Sequence, residues 1–270
     1  MTSELADRIP AHHTLLARAG SWRILDDHQF GTAAENVARD GLLGEAVARG
    51  DSPSLWRVWE NAQSLVVSRQ ESNLASFEQA AQSMAAAAWP VVVRETGGSA
   101  VPHGPGILQL SMIMPRSVVM GFSTDAVYQL LSDPLQQTLS SFGISSQFGS
   151  VPDAYCDGRF NLVVAKKKIA GTAQAWRANV ATNKGLKAGT KEGYVLAHAT
   201  LFVCMDAEIT TAAVNRFYTL AGVANRFEPK ALTTADSCLR QSDSGSYGNS
   251  SRQLLKEVRS RLITTLQNYL

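Results

Sequence analysis

The chain predicts an α+β fold: a mixed, largely antiparallel central sheet with helices packed on it. Two observations carry this. Apolar strand-like runs come in close pairs, residues 90–94 with 107–114 and 161–165 with 167–174. These pairs are too near in sequence for the crossover helix that parallel strands require. Amphipathic helical segments are interspersed among the strands, as expected where helices cover a sheet.

The elements follow in order. Thr32-x-x-Glu35 reads as a capping box ahead of Val37, Leu42, Leu43, Ala46 and Val47, and Gly50 suits the helix end. Residues 56–59 (WRVW) and 64–69 (SLVVSR) read as strands, and Asn73 as the cap of a helix through Phe77, Ala80, Ala81 and Met84. A helix from about Ser123 carries Val127, Leu130, Leu131, Leu135 and Leu139, with Pro134 expected to kink or split it. Strands at 161–165, 167–174 and 194–203 precede a helix through Ile209, Ala213, Val214, Phe217 and Leu220. A polar loop over 178–193 holds Lys184, Lys187 and Lys191. Residues 243–251 (DSGSYGNSS) read as a linker to a helix with Leu254, Leu255, Val258, Leu262 and Leu266 on one face.

Composition excludes several classes. With 270 residues the chain is one large domain, or one domain with a small appendage. A formal charge of +2 argues for neither nucleic acid nor an anionic membrane as partner. No run reaches the ~18 apolar residues of a membrane span. Glu4, Asp7 and Arg8 lack the apolar core of a secretory signal behind them. Three cysteines cannot all pair and follow no metal-ligand spacing, so a reduced, cytoplasmic setting and no metal site are expected. Neither a Walker A pattern nor a G-x-G-x-x-G turn is present, which sets aside phosphate-loop and Rossmann enzymes.

Chemistry concentrates in two stretches. Residues 94–111 (RETGGSAVPHGPGILQLS) place Gly97, Gly98, Gly104 and Gly106 between two apolar strands, a density that lets backbone approach a ligand closely. Residues 166–174 (KKKIAGTAQ) join lysines to the small residues Gly171, Thr172 and Ala173. Together they suggest a slot with one cationic head and small walls. Strand alternation puts Lys168 and Ala170 on one face and Ile169 on the other. Lys168 is then either a point charge for a developing oxyanion or one of three solvated edge lysines. Cys156 lies in a polar loop (VPDAYCDGRFN) shortly before those lysines, where a nearby cation would favour a thiolate nucleophile. On residue chemistry alone an incidental loop thiol is the simpler reading. His103 on the glycine turn is a site-lining candidate, and His198 on its strand reads as a hydrogen-bonded core histidine.

These residues together resemble the biotin/lipoyl protein ligase and transferase superfamily. Arg94, Thr96, Gly97, Gly98, Ser99 and Ala100 fit its R-x-[ST]-G-G-x-A-V element. Lys168, Gly171, Thr172, Ala173 and Gln174 fit K-[IV]-[AS]-G-[ST]-A-Q, and His198 with Thr200 fits H-G-T-L, with Ala199 in place of the glycine. The resemblance runs from about residue 30 to 205. It implies the class II biotin/lipoyl ligase-like catalytic fold over residues 1–241, with 242–270 a linker and helix packed on the same domain. Residues 155–162 (YCDGRFNL) resemble the F-C-x-G-x-Y-D-L loop of cysteine-dependent octanoyl and lipoyl amidotransferases. Glu95 stands where the ligases carry a second arginine. The resemblance thus implies transfer of an octanoyl or lipoyl group to a lipoyl-domain lysine, with Cys156 as the acyl-accepting thiol and Lys168 at the carbonyl oxygen. Arg94, Thr96, Gly97, Gly98, Ser99, Ala100, His103, Gly104, Gly171, Thr172, Ala173, Gln174, His198 and Thr200 would bind substrate. The implied acceptor is glycine cleavage H protein or a 2-oxoacid dehydrogenase E2 component, and the donor acyl carrier protein or an acylated lipoyl domain. No cofactor is required for that reaction. The alternative is a lipoate-protein ligase acting through an acyl-adenylate, which needs ATP and Mg.

Overall fold

The computed structural model describes residues 10–28, 31–178, 193–241 and 250–270. Helix α1 (Ala11–Arg18) and strand β1 (Trp22–Asp27) precede α2 (Ala33–Arg49), β2 (Ser54–Trp59) and β3 (Ser64–Ser68). Then come α3 (Phe77–Ala86), β4 (Val91–Arg94), β5 (Val101–His103), β6 (Ile107–Pro115), α4 (Thr124–Ser141) and β7 (Gln147–Phe148). The hairpin β8 (Leu162–Val164) and β9 (Lys167–Ala178) leads to β10 (Gly193–Phe202), α5 (Ala207–Leu220), α6 (Ala235–Gln241) and α7 (Ser251–Tyr269).

The architecture is α+β and largely antiparallel; of the two close strand pairs, 161–165 with 167–174 forms the antiparallel β8–β9 pair, whereas β4 pairs parallel with β3 and not with β6. It is built as two sheets. A seven-stranded sheet has the order β1-β2-β6-β10-β9-β8-β7, with only β1 and β2 parallel. A three-stranded sheet, β4-β3-β5, stands apart from it. Neighbouring runs in sequence therefore separate in space: β2 and β3 lie in different sheets, and so do β4 and β6.

The large sheet has two different faces. Trp56 and Val58 of β2, Leu108 and Leu110 of β6, and Val195 and Ala197 of β10 point to one face. There they meet the leucines of α4 and α7, including Leu130, Leu135, Leu262 and Leu266. Arg259 anchors α7 further, donating to Asp26 and to Glu60. Helix α2 covers part of the opposite face, where Val47 packs with Leu55, Ile113 and Leu196. Its capping box forms as the sequence predicts, Thr32 accepting from Glu35 N and the Glu35 side chain from Thr32 N.

Several local expectations are corrected. Asn73 ends a short 3₁₀ turn, and α3 starts after Ser76. Helix α4 runs unbroken through Pro134. Leu42 and Ile209, assigned to apolar helix faces, are exposed. Strand β5 sits inside what the sequence presents as one long glycine turn, and α1 and β1 are elements that the sequence pattern does not mark. Lys184, Lys187 and Lys191, and most of the linker sequence, lie outside the described residues.

Candidate active site

The second face of the large sheet carries polar side chains in rows that cross four strands. Arg57 pairs with Ser111, Ser111 with His198, and His198 with Ala173. The adjacent row on this face is Trp59, Gln109, Thr200 and Gly171. Period-two alternation makes this possible, because Leu108, Leu110 and Met112 take the other face for the main core.

Lys168 joins this face through an irregularity. The β8–β9 register shifts between Leu162, which faces Ala170, and Val163, which faces Lys168. Ile169 is the extra residue, and both Ile169 and Ala170 enter the core beneath the sheet. Lys168 is thereby turned to the side of Gly171, and away from Ala170, with which strict alternation had grouped it. It is fully buried and is no solvated edge lysine; Lys166 and Lys167 are the exposed ones. A Cβ on Gly171 would stand 3.0 Å from Lys168 Nζ, so the glycine makes room for the lysine's end.

Lys168 Nζ donates to the backbone oxygens of Tyr155, at 2.8 Å, and Cys156, at 2.6 Å. An ammonium has three donors, so one is left for another acceptor. Burial pushes its pKa down to about 8, against the opposing pull of Cys156 and Asp157. Cys156 adopts a positive φ of 49° and is half-buried. Its amide donates to Ser99 Oγ at 2.7 Å, which ties the cysteine loop to the glycine turn.

A cation close to the sulfur comes from β4. Arg94 is buried and donates through Nη1 to Val66 O, and through Nη2 to Gly97 O and Ser99 O. The same Nη2 lies 3.9 Å from Cys156 Sγ. Glu71 braces the turn from behind, accepting from Ala100 N, Ser68 N and the Tyr218 hydroxyl. The Gly97 Cα faces open space.

Cys156, Lys168, Gly171, Ala173 and Thr200 line a narrow cleft, together with Arg94 and His198. Arg94 and His198 also line an adjoining cavity of about 260 Å³. Trp59, Val66, Val37 and Leu196 are among its other walls, and Thr96 joins them. Thr96 Oγ1 and His198 Nε2 share a hydrogen bond at 3.1 Å. Burial, and then the Arg94 charge, push the His198 pKa down to about 3, so the ring is neutral at physiological pH. His103 lines the same cavity and is held well below its usual range by burial, His198 and Arg94.

Not every expected residue gathers here. Gly104 faces Gln63 and lines a different cavity. Gln174 bonds Thr124 O and the Trp176 indole, whereas Thr172 does line the cleft, its hydroxyl donating to Phe160 O. Among the described residues one cluster brings metal-ligand types together: His12, His13 and Asp133, where α1 meets α4, sharing no residue with the cleft.

A half-buried thiol beside the Arg94 guanidinium, in a cleft it shares with Lys168 and next to a cavity walled in part by Val37, Trp59, Val66 and Leu196, is chemistry suited to holding an acyl group. The family model that matches is the lipoyl protein ligase A/B catalytic domain, over residues 32–222. The chain belongs to this family. An octanoyl-[GcvH]:protein N-octanoyltransferase of Kyrpidia tusciae is 39% identical over 205 residues, 76% of this chain and 69% of that one. A lipoyl-[GcvH]:protein N-lipoyltransferase of Listeria monocytogenes is 24% identical over 216 residues, 78% of this chain and 72% of that one. The crystal structure of lipoate-protein ligase A bound with ATP matches with a TM-score of 0.64, covering 92% of this chain and 85% of that chain at 18% identity. At that identity the likeness speaks for the fold. The largely antiparallel α+β architecture is therefore that of the lipoyl protein ligase A/B catalytic domain.

The sequence reading of this family member missed a polar network beneath the cavity. Arg57, fully buried, donates to Asp27 at 2.7 Å and to Asp40 at 2.8 Å, and stacks over Trp59. Ser111 donates to Asp40 Oδ2 at 2.6 Å and accepts from the Trp59 indole at 2.9 Å. Burial raises the Asp40 pKa against the lowering effect of Arg57. The available signal was the alternation of Arg57 with Trp59 and of Gln109 with Ser111 along otherwise apolar strands.

Proposed function

We propose that the chain transfers an octanoyl group to the lysine of a lipoyl-domain protein through a thioester on Cys156. The observation that carries this is the position of Cys156 Sγ, beside Arg94 Nη2 at 3.9 Å in a cleft that shares Arg94 and His198 with the 260 Å³ cavity. The relatives' names support octanoyl over lipoyl, at 39% against 24% identity. We take residues 1–241 as the catalytic unit, with α7 packed on it.

The transfer divides into two balanced steps. Cys156 sulfur forms a bond to the donor carbonyl carbon, the bond to the carrier's heteroatom breaks, and the carrier leaves with the thiol proton. The acceptor amine then forms its amide bond, the C–S bond breaks, and the amine's proton returns to the sulfur. Lys168 fixes the loop that presents the thiol, and its third donor is available to the carbonyl oxygen as charge develops there. Losing one such donor costs about 2.7–4 kcal/mol of transition-state stabilisation. Each methylene of the tail buried in the cavity contributes about 0.8 kcal/mol of binding.

A GcvH-type H protein is the lipoyl-domain partner, consistent with the relatives' names. Acyl carrier protein, an acylated lipoyl domain or an E2 component stands at the other side of the exchange. The acyl group arrives already bonded to a carrier, so the reaction needs neither ATP nor Mg. No helix among the described residues is long and apolar enough to cross a membrane, and we place the reaction in the cytoplasm. Mixing the protein with octanoylated carrier and unmodified GcvH, without ATP, tests the reading. Octanoyl-GcvH should form with wild type and be absent with Cys156→Ser. Acylation that needs ATP, Mg and free acid, and that survives Cys156→Ser, assigns the ligase reaction instead.

A further inference from the structure

The cavity that adjoins the Cys156 cleft at Arg94 and His198 has a second one next to it, of about 700 Å³, among whose walls are Gln63, Gly104, Ile209 and Arg252. This second cavity does not touch Cys156 or Lys168. Among the described residues His103 alone lines both. One imidazole therefore stands between the cavity that adjoins the thiol's cleft and the larger one.

The ring is held in place. Asn61 Nδ2 donates to His103 Nδ1 at 3.2 Å, and Asn61 is in turn bonded by Asn36 Nδ2 at 3.2 Å. Trp59 packs against the imidazole edge-on, with centroids 5.7 Å apart. The backbone is fixed by pairing of His103 with Ser64 of β3. Gly104 follows with a φ of 148°, and a Cβ there would stand 3.2 Å from Gln63 Cα, so the backbone runs close along Gln63.

We propose that His103 is the end wall of the acyl pocket and sets the longest chain that Cys156 can carry. This rests on the reading of Cys156 as the acyl-bearing residue. Position favours it: among the described residues His103 is the one shared by the cavity that adjoins the Cys156 cleft and the larger cavity beyond. Removing the ring joins the two spaces and gives a longer chain somewhere to go.

The test is intact-protein mass spectrometry of Cys156 adducts formed from acyl-carrier-protein thioesters of octanoate, decanoate, dodecanoate and tetradecanoate. Wild type should acylate with dodecanoyl at least about tenfold more slowly than with octanoyl, the discrimination expected when chain carbons do not fit. His103→Ala should raise the dodecanoyl-to-octanoyl ratio at least about tenfold, and His103→Phe, which keeps a ring in the wall, should keep the wild-type ratio. Asn61→Ala frees the ring without removing it and should move the ratio the same way by less, which preserves the test if His103→Ala does not fold. Equal acylation of wild type by all four chains overturns the proposal, as does an unchanged ratio in both His103→Ala and Asn61→Ala. Absence of any wild-type adduct would instead overturn the reading of Cys156.

Discussion

Gly98 and Cys156 are fitted to each other: a Cβ on Gly98 would lie 2.5 Å from the Cys156 sulfur. The same glycine has a φ of 97°, a conformation that side chains rarely adopt. Gly98→Ala therefore displaces the thiol as well as straining the turn. A misplacement of about 1 Å costs on the order of 100-fold in rate, and single-turnover acylation of Cys156 should fall by that much. The fold should survive, with a denaturation midpoint reflecting about 1–2 kcal/mol of backbone strain.

Lys168 gives the reaction a pH signature. Its pKa is lowered by burial from 10.5 to about 8, so its charge is lost as pH rises through that value. kcat/KM should show a descending limb centred near pH 8, and Lys168→Met should lack it. Stability should move the opposite way. Between pH 8 and 10.5 the unfolded chain binds the proton that the folded chain has released, so stability rises with pH there. Urea titrations across that window should show the rise in wild type and its loss in Lys168→Met.

Arg57 is a structural counterpart to these site cations. It is fully buried and neutralises Asp40, itself nearly inaccessible. Arg57→Leu leaves an uncompensated buried charge and should lower unfolding free energy by about 3–5 kcal/mol. Adding Asp40→Asn should restore part of that, because the two residues act as one pair. Denaturant unfolding of the single and double variants measures both.

The residues that gather at the cleft were legible because their signals are local. Glycines at 97 and 98, the lysine before small residues at 171–173, and Cys156 in a polar loop all stand out in short windows. The strand periodicity that marked β6, β9 and β10 is local too. What the sequence hid depends on pairing between distant segments. The face taken by Lys168 is set by an extra residue in β9 that exists only in register with β8. Arg57 meets Asp40 across a helix–sheet contact, so no spacing rule exposes the pair. Arg94 stands out in its motif, but its bonds to Val66 O, Gly97 O and Ser99 O, which fix it beside the thiol, show only in the fold. Gly104 sits in the same glycine-rich stretch as Gly98, yet β5 lies between them and carries it to another cavity.

The most direct test of the central claim is intact-protein mass spectrometry after incubation with octanoylated carrier protein and no ATP. Wild type and Cys156→Ser are compared under non-denaturing, thiol-free conditions, with hydroxylamine added afterwards. The account predicts an octanoyl adduct on wild type alone, released by hydroxylamine and passed to GcvH when that protein is supplied. A wild type that stays bare, alongside a Cys156→Ser variant that acylates GcvH equally well once ATP, Mg and free octanoate are present, would contradict it.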